Sequence, residues 1–161
     1  MPTLPELIEE DISELNSALQ ELLIKSDAGC ALVIDKGGFV ITQCGRSEEV
    51  DCMTLAALSA ASFAATESIA GLVGEQNFSS VYQQGDHVSI LVMDVDEYCL
   101  ITIIFKATLS VGAIRYYASD TIKRVTTQLK AAHERAPQGG LDLSMLNMAD
   151  PSIVFKKKRA A

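Results

Sequence analysis

With 161 residues and a formal charge of −8, the chain is the size of one domain. Its charge has the wrong sign for general nucleic-acid binding, which needs an excess of Lys and Arg. Apolar residues make up 48% and charged ones 21%, the balance of a globular protein, and no uninterrupted apolar run reaches the ~18 residues of a bilayer span.

The opening MPTLPELIEED is acidic where a secretion signal is basic, so the sequence predicts a cytoplasmic protein without stable membrane insertion. In chain order, Thr3-x-x-Glu6 reads as a capping box. Leu4, Ile8, Ile12, Leu15, Leu19 and Leu22 then recur at helical steps, with Glu9, Glu10, Asp11 and Glu14 toward water and an end near Ser26. GCALVID (29–35) is a continuous apolar run, as expected of a strand covered on both faces. Lys36-Gly37-Gly38 supplies a tight turn, FVITQCG (39–45) returns as the second strand of a hairpin, and Asp51 is the N-cap of a second helix.

Beyond Gly74, FSSVYQQ (78–84), HVSILVMD (87–94) and YCLITIIF (98–105) are strand-like runs joined by short turns, which predicts an antiparallel meander. The first run is the most polar and reads as an edge. Ser110 caps a third helix with the stripe Val111, Ile114, Ala118, Ile122, Val125, Leu129 and Ala132, while Asp120, Lys123, Lys130 and Glu134 point outward. Pro137 and Gly139-Gly140 are read as the end of the domain, giving a domain over 1–136 and a tail over 137–161. The tail carries Leu141, Leu143, Met145, Leu146, Ile153, Val154 and Phe155 and then KKKR (156–159). It could fold back, cap a partner or touch an acidic surface, and disorder that folds on binding is the preferred reading. The order α-β-β-α-β-β-β-α is that of a two- or three-layer α/β sandwich around an antiparallel sheet.

The second helix is unusual. Its segment AALSAASFAATESIAGLVGE (56–75) is built largely of small side chains. At 100° per residue, Leu55, Leu58, Ile69 and Val73 gather on one side, read as the sheet-packing face. Roughly opposite lie Ala57, Ala60, Ala61, Ala64, Ser68 and Gly71, a flat stripe suited to the approach of another backbone at the ~8 Å end of helix spacings. Exposed filler on helices is usually Glu, Lys or Gln, and this stripe has none, so it is read as a contact surface.

Chemistry of the chain's own is not visible. There is no GxxxxGK[ST] loop and no GxGxxG, and His87 and His133 lack a serine or cysteine partner. Cys30 and Cys99 sit in apolar runs as core residues. A zinc site from Cys44, Cys52, His87 and His133 has no ligand-pair spacing and is rejected. The expectation is therefore no catalytic residue, no cofactor, no metal and reduced thiols.

ALVIDKGGFVI (31–41), the small-residue helix closing with GLVGE (71–75), and LITIIF (100–105), in this element order, resemble the roadblock/light-chain family of dynein light-chain type, over roughly residues 5–134. Within it, the acidic first helix and alanine-rich second helix are most similar to bacterial MglB-type proteins. These act on a small Ras-like GTPase of MglA type that controls cell polarity and motility. The resemblance implies a roadblock-type sandwich, a five-stranded antiparallel sheet with helices on both faces. It also implies a homodimer in which the third strands pair, here through Phe78, Ser80 and Tyr82, with the second helices side by side. The stripe around Ala60, Ala64 and Ser68 would then be the GTPase dock, and hydrolysis would be stimulated by repositioning switch loops rather than by an arginine finger from Arg46, Arg115 or Arg124. The alternative is a non-catalytic scaffold subunit that binds a larger assembly.

Overall fold

The apolar run that opens at Cys30 becomes an inner strand, β1 (Cys30–Asp35), of a five-stranded antiparallel sheet. Its neighbours are β2 (Val40–Gly45) and β5 (Cys99–Lys106), followed outward by β4 (Val88–Asp94) and β3 (Ser80–Gln84), in the order β2-β1-β5-β4-β3. The computed structural model describes residues 3–139, the side chains of 136–139 excepted; the tail segment expected over 141–161 lies outside the described residues.

Successive residues of β1 face opposite layers, as strand geometry requires. Ala31 and Val33 pack with Leu15, Leu19 and Leu22 of α1 (Glu9–Ser26) and with Ile114, Val125 and Leu129 of α3 (Val111–Gly139). Cys30, Leu32 and Ile34 pack with Ala56, Ala60 and Phe63 of α2 (Cys52–Leu72). Among the described residues the result is a three-layer sandwich, with α1 and α3 on one face of the sheet and α2 on the other. The α3 stripe read from the sequence points inward as expected, and Ser110 accepts from the Ala113 amide at 3.4 Å. The helix runs three residues beyond the expected domain end, to Gly139.

Two expectations for the N-terminus are corrected. The capping box is not Thr3-Glu6: the helix starts at Glu9, and the Ile8 amide donates to Asp11 at 2.9 Å. Leu4 and Leu7 pack against the core from an irregular arm that precedes the helix. Nor does Asp11 face water. It is fully buried, one turn before Leu15 on the inward stripe. There it accepts from Gln128 at 2.6 Å and forms an ion pair with Arg135, both of α3. Burial pushes its carboxyl up, but the hydrogen bonds from Arg135, the Ile8 amide and Gln128, with the Arg135 charge, outweigh that and hold it below the usual aspartate value. A second clip joins the same helices: Arg124 pairs with Glu14 at 2.7 Å and Glu21 at 2.5 Å.

The Thr102 hydroxyl, in the middle of β5 beneath α2, is buried with no hydrogen-bond partner among the described residues. A buried unpaired hydroxyl is costly. Thr102→Val is therefore expected to stabilise the fold by about 1 kcal/mol, raising Tm by about 3 °C. A lower Tm in calorimetry would mean that the hydroxyl is satisfied after all.

Candidate docking surface

The helix α2 starts where its cap predicts. The Asp51 carboxylate accepts from the Thr54 amide at 3.1 Å and from its hydroxyl at 2.6 Å, and these bonds hold the carboxyl below its ordinary value.

Its two faces are not those expected. The side that meets the sheet is made of Cys52, Ala56, Ser59, Ala60, Phe63 and Ala70, all buried. The helix backbone thus lies close on the sheet over small side chains, and Phe63 alone wedges into it. Leu58, Ile69 and Val73, expected on this side, are exposed, and Leu55 is only half-buried. Ala60, expected on the bare stripe, is 6% exposed and belongs to the buried side. The expectation failed because it assumed that the larger apolar residues must be the inward ones, whereas burial of apolar side chains is a tendency and not a rule.

What faces outward is more apolar than the expected alanine stripe. Ala57, Ala61, Ala64, Ser68 and Gly71 are exposed as anticipated. Around them stand Met53 (79% exposed), Leu58 (63%) and Leu72 (86%), with Ile69 and Val73. Sequence reasoning missed these five as surface residues; the inward spacing 52, 56, 59, 63 was the signal that could have found them. Between Cys52 and Leu72 the only charged residue is Glu67. By length and composition α2 would even pass for a membrane span, although its hydroxyl side chains and Glu67 keep it from being an uninterrupted apolar run, and one side of it is packed on the sheet.

Part of the smallness has an internal cause. Gly38, at φ 94°, carries the tip of the β1–β2 hairpin over α2, and a Cβ there would lie 3.0 Å from the Ala57 Cα. Phe39, next in the chain, is exposed.

The two sheet edges are treated differently. At β2, Asn16 of α1 donates to the Gln43 carbonyl at 3.2 Å, so a side chain blunts that edge. Among the described residues the strand β3 pairs with β4 alone. The Asp94 amide donates to the Ser79 carbonyl and the Gly85 amide to the Val88 carbonyl. With the register Ser80↔Met93 through Gln84↔Ser89, alternation then turns the main-chain groups of Ser80, Tyr82 and Gln84 off the sheet. Their side chains do not supply the edge. The Ser80 hydroxyl accepts from Arg115 at 2.6 Å, and Tyr82 stacks on Phe105 with centroids 6.3 Å apart. Phe78 lies two residues ahead of the strand, outside it.

Residues 14–105 match the Roadblock/LC7 domain. No curated protein matches the chain. Among solved structures, Myxococcus xanthus MglB is similar with a TM-score of 0.73 at 24% identity, over 79% of this chain and 96% of that one. A gliding protein MglB from Thermus thermophilus is similar with a TM-score of 0.74 at 25% identity, over 81% and 99%. An MglB with tetrameric arrangement gives 0.75 at 25%, over 82% and 99%.

Proposed function

The chain belongs to the Roadblock/LC7 domain family, and from that premise we propose that it is a homodimeric, cytoplasmic regulator of a small Ras-like GTPase of MglA type, which stimulates GTP hydrolysis by holding the switch loops in their productive arrangement. The observation that carries this reading is α2: a helix seated on its own sheet by small residues while Met53, Leu58, Ile69 and Leu72 face outward, with Glu67 the one charged side chain on the helix. Such a face is a site for a close-fitting protein surface. The likeness to MglB structures over nearly their whole length supports the choice of a GTPase as that surface.

Two copies of β3 would pair antiparallel about Tyr82, setting the main chain of Ser80 against the partner's Gln84. This joins two sheets into one and brings two α2 helices to one side. That one MglB has a tetrameric arrangement supports self-association in this branch of the family. Nothing is asked of the chain's arginines. Arg115 and Arg124 are engaged with Ser80, Glu14 and Glu21, and the GTPase supplies its own water-positioning glutamine.

Gln84 is exposed, and its amide does not serve the β4 ladder. Gln84→Pro therefore leaves the protomer folded but removes two symmetric edge bonds, which weakens the dimer about tenfold or more in sedimentation. An unchanged dimer would place its contact elsewhere. The function itself is tested by titrating the chain against the GTPase loaded with a non-hydrolysable GTP analogue or with GDP. At least about tenfold tighter binding of the GTP form is expected, because a switch is moved only by a partner that prefers one of its states. Equal affinities would leave the scaffold reading.

A further inference from the structure

At the end of the sheet where α3 finishes, two cavities lie side by side. One, of about 280 Å³, is bounded by Leu129, Lys130 and His133 of α3 and by the β4–β5 turn. The other, of about 310 Å³, runs on to Glu67 of α2, with Leu4 of the N-terminal arm in its wall. Glu97 and Tyr98 line both, so the two adjoin as a furrow that passes from the α3 side of the sheet to the α2 side. Its apolar part is Leu4, Leu129 and the Tyr98 ring, whose centroid is 5.9 Å from that of His133.

The charge of the furrow is unbalanced. Asp35, Glu67, Asp96 and Glu97 line it against Lys36 and Lys130. Lys36 pairs with Asp94 at 2.9 Å, while Asp35 accepts from the Phe39 amide and Asp96 from the Tyr98 and Cys99 amides. Glu67 and Glu97 are exposed and, among the described residues, have no ion-pair partner.

The rest of the chain is complementary to this. Residues 1–139 carry nine basic and nineteen acidic side chains, a charge of −10, whereas 140–161 carry four basic and two acidic ones, a charge of +2. All four basic groups are in KKKR (156–159), directly after Ile153, Val154 and Phe155. The helix α3 delivers the chain to Gly139, six residues past His133. Lys156 is seventeen residues further on, a reach of at most about 55 Å extended and about 23 Å as a flexible coil. A tether of this length holds its end at roughly millimolar effective concentration, so modest contacts are enough to dock it.

We propose that the furrow is the docking site of the chain's own C-terminal segment, with Ile153, Val154 and Phe155 along Leu4, Tyr98 and Leu129, and KKKR against Glu67 and Glu97. Glu67 is three residues from Ala64 and one from Ser68, so the docked cluster stands at the rim of the outer α2 face. The segment thereby competes with the GTPase for the C-terminal half of α2. That competition rests on the GTPase reading, whereas the docking does not.

The test is zero-length carbodiimide coupling of the full chain, on a mixture of light and nitrogen-15 copies, followed by peptide mass mapping. Lys156, Lys157 or Lys158 should be joined to Glu67 or Glu97 within one copy, and half-molar salt should suppress the link. Glu67→Gln with Glu97→Gln, both at exposed positions, should leave the fold intact and let trypsin remove the basic cluster at least about threefold faster. Links only between different copies, or no link together with unchanged cleavage, would overturn the docking. If the chain then sedimented with phosphatidylserine vesicles, the basic cluster would serve a membrane instead. Lys156→Glu, Lys157→Glu, Lys158→Glu and Arg159→Glu together should tighten GTPase binding at least about threefold. Unchanged affinity, with the wild-type link present, would overturn the competition and leave the GTPase reading standing.

Discussion

Ala64→Arg is expected to abolish GTPase binding while the protein stays folded and dimeric. Ala64 is exposed on the outer side of α2, clear of the buried residues Ala60 and Phe63. An arginine there meets solvent in the isolated protein, and surface changes of this kind alter stability by less than about 0.5 kcal/mol. In the complex the same side chain lies at a dry contact with no acid on α2 besides Glu67 to answer it. The bulk of the side chain holds the two surfaces apart, and burying its charge costs several kcal/mol even with Glu67 three residues on, so affinity falls on the order of a hundredfold or more. Calorimetric titration measures the loss, and sedimentation and melting curves check the dimer and the fold. Wild-type affinity in this variant would put the dock on another surface.

Asp11→Ala has the largest expected effect on stability. The carboxylate caps α1 through the Ile8 amide and ties it to Gln128 and Arg135 near the end of α3. Its removal strands a helix cap and two α3 donors, at about 2–4 kcal/mol, or about 10 °C in Tm. Asp11→Asn keeps an acceptor for the cap and should cost about half as much. The pH dependence has a definite sign. The folded-state carboxyl is held below its usual value, so its contribution is fully present above the unfolded value and is lost as pH falls through the folded one. The Tm gap between wild type and Asp11→Ala should therefore be constant from neutral pH down to about 5 and close below about 4. A gap that widens in acid would contradict the assignment.

The sequence carried the architecture further than it carried the surface. Apolar patterning marked the five strands and the three α-helices but not the short 3-10 turn Ser47–Glu49: every β1 residue from Cys30 to Ile34 is buried, which gives a continuous run, and α3 has a single apolar stripe. It failed at α2, where both sides are apolar and no contrast between them tells the inward from the outward face. The small side chains were the cue, but they marked a close approach of the helix to its own sheet at Ala56 and Ala60 and of the hairpin tip at Ala57. Asp11 was missed for a related reason. An acidic residue beside Glu9 and Glu10 reads as solvated, and only its spacing of four residues before Leu15 places it on the buried stripe. Its partners Gln128 and Arg135 are far away in sequence, and nothing local announces them.

The most direct test is GTP turnover by the Ras-like GTPase of the same cell, measured in a single turnover with and without this protein. The account predicts a rate that rises at least about tenfold and saturates with the dimer. It also predicts that Ala64→Arg returns the rate to the basal value. Binding without any change in turnover would contradict it and leave a scaffold.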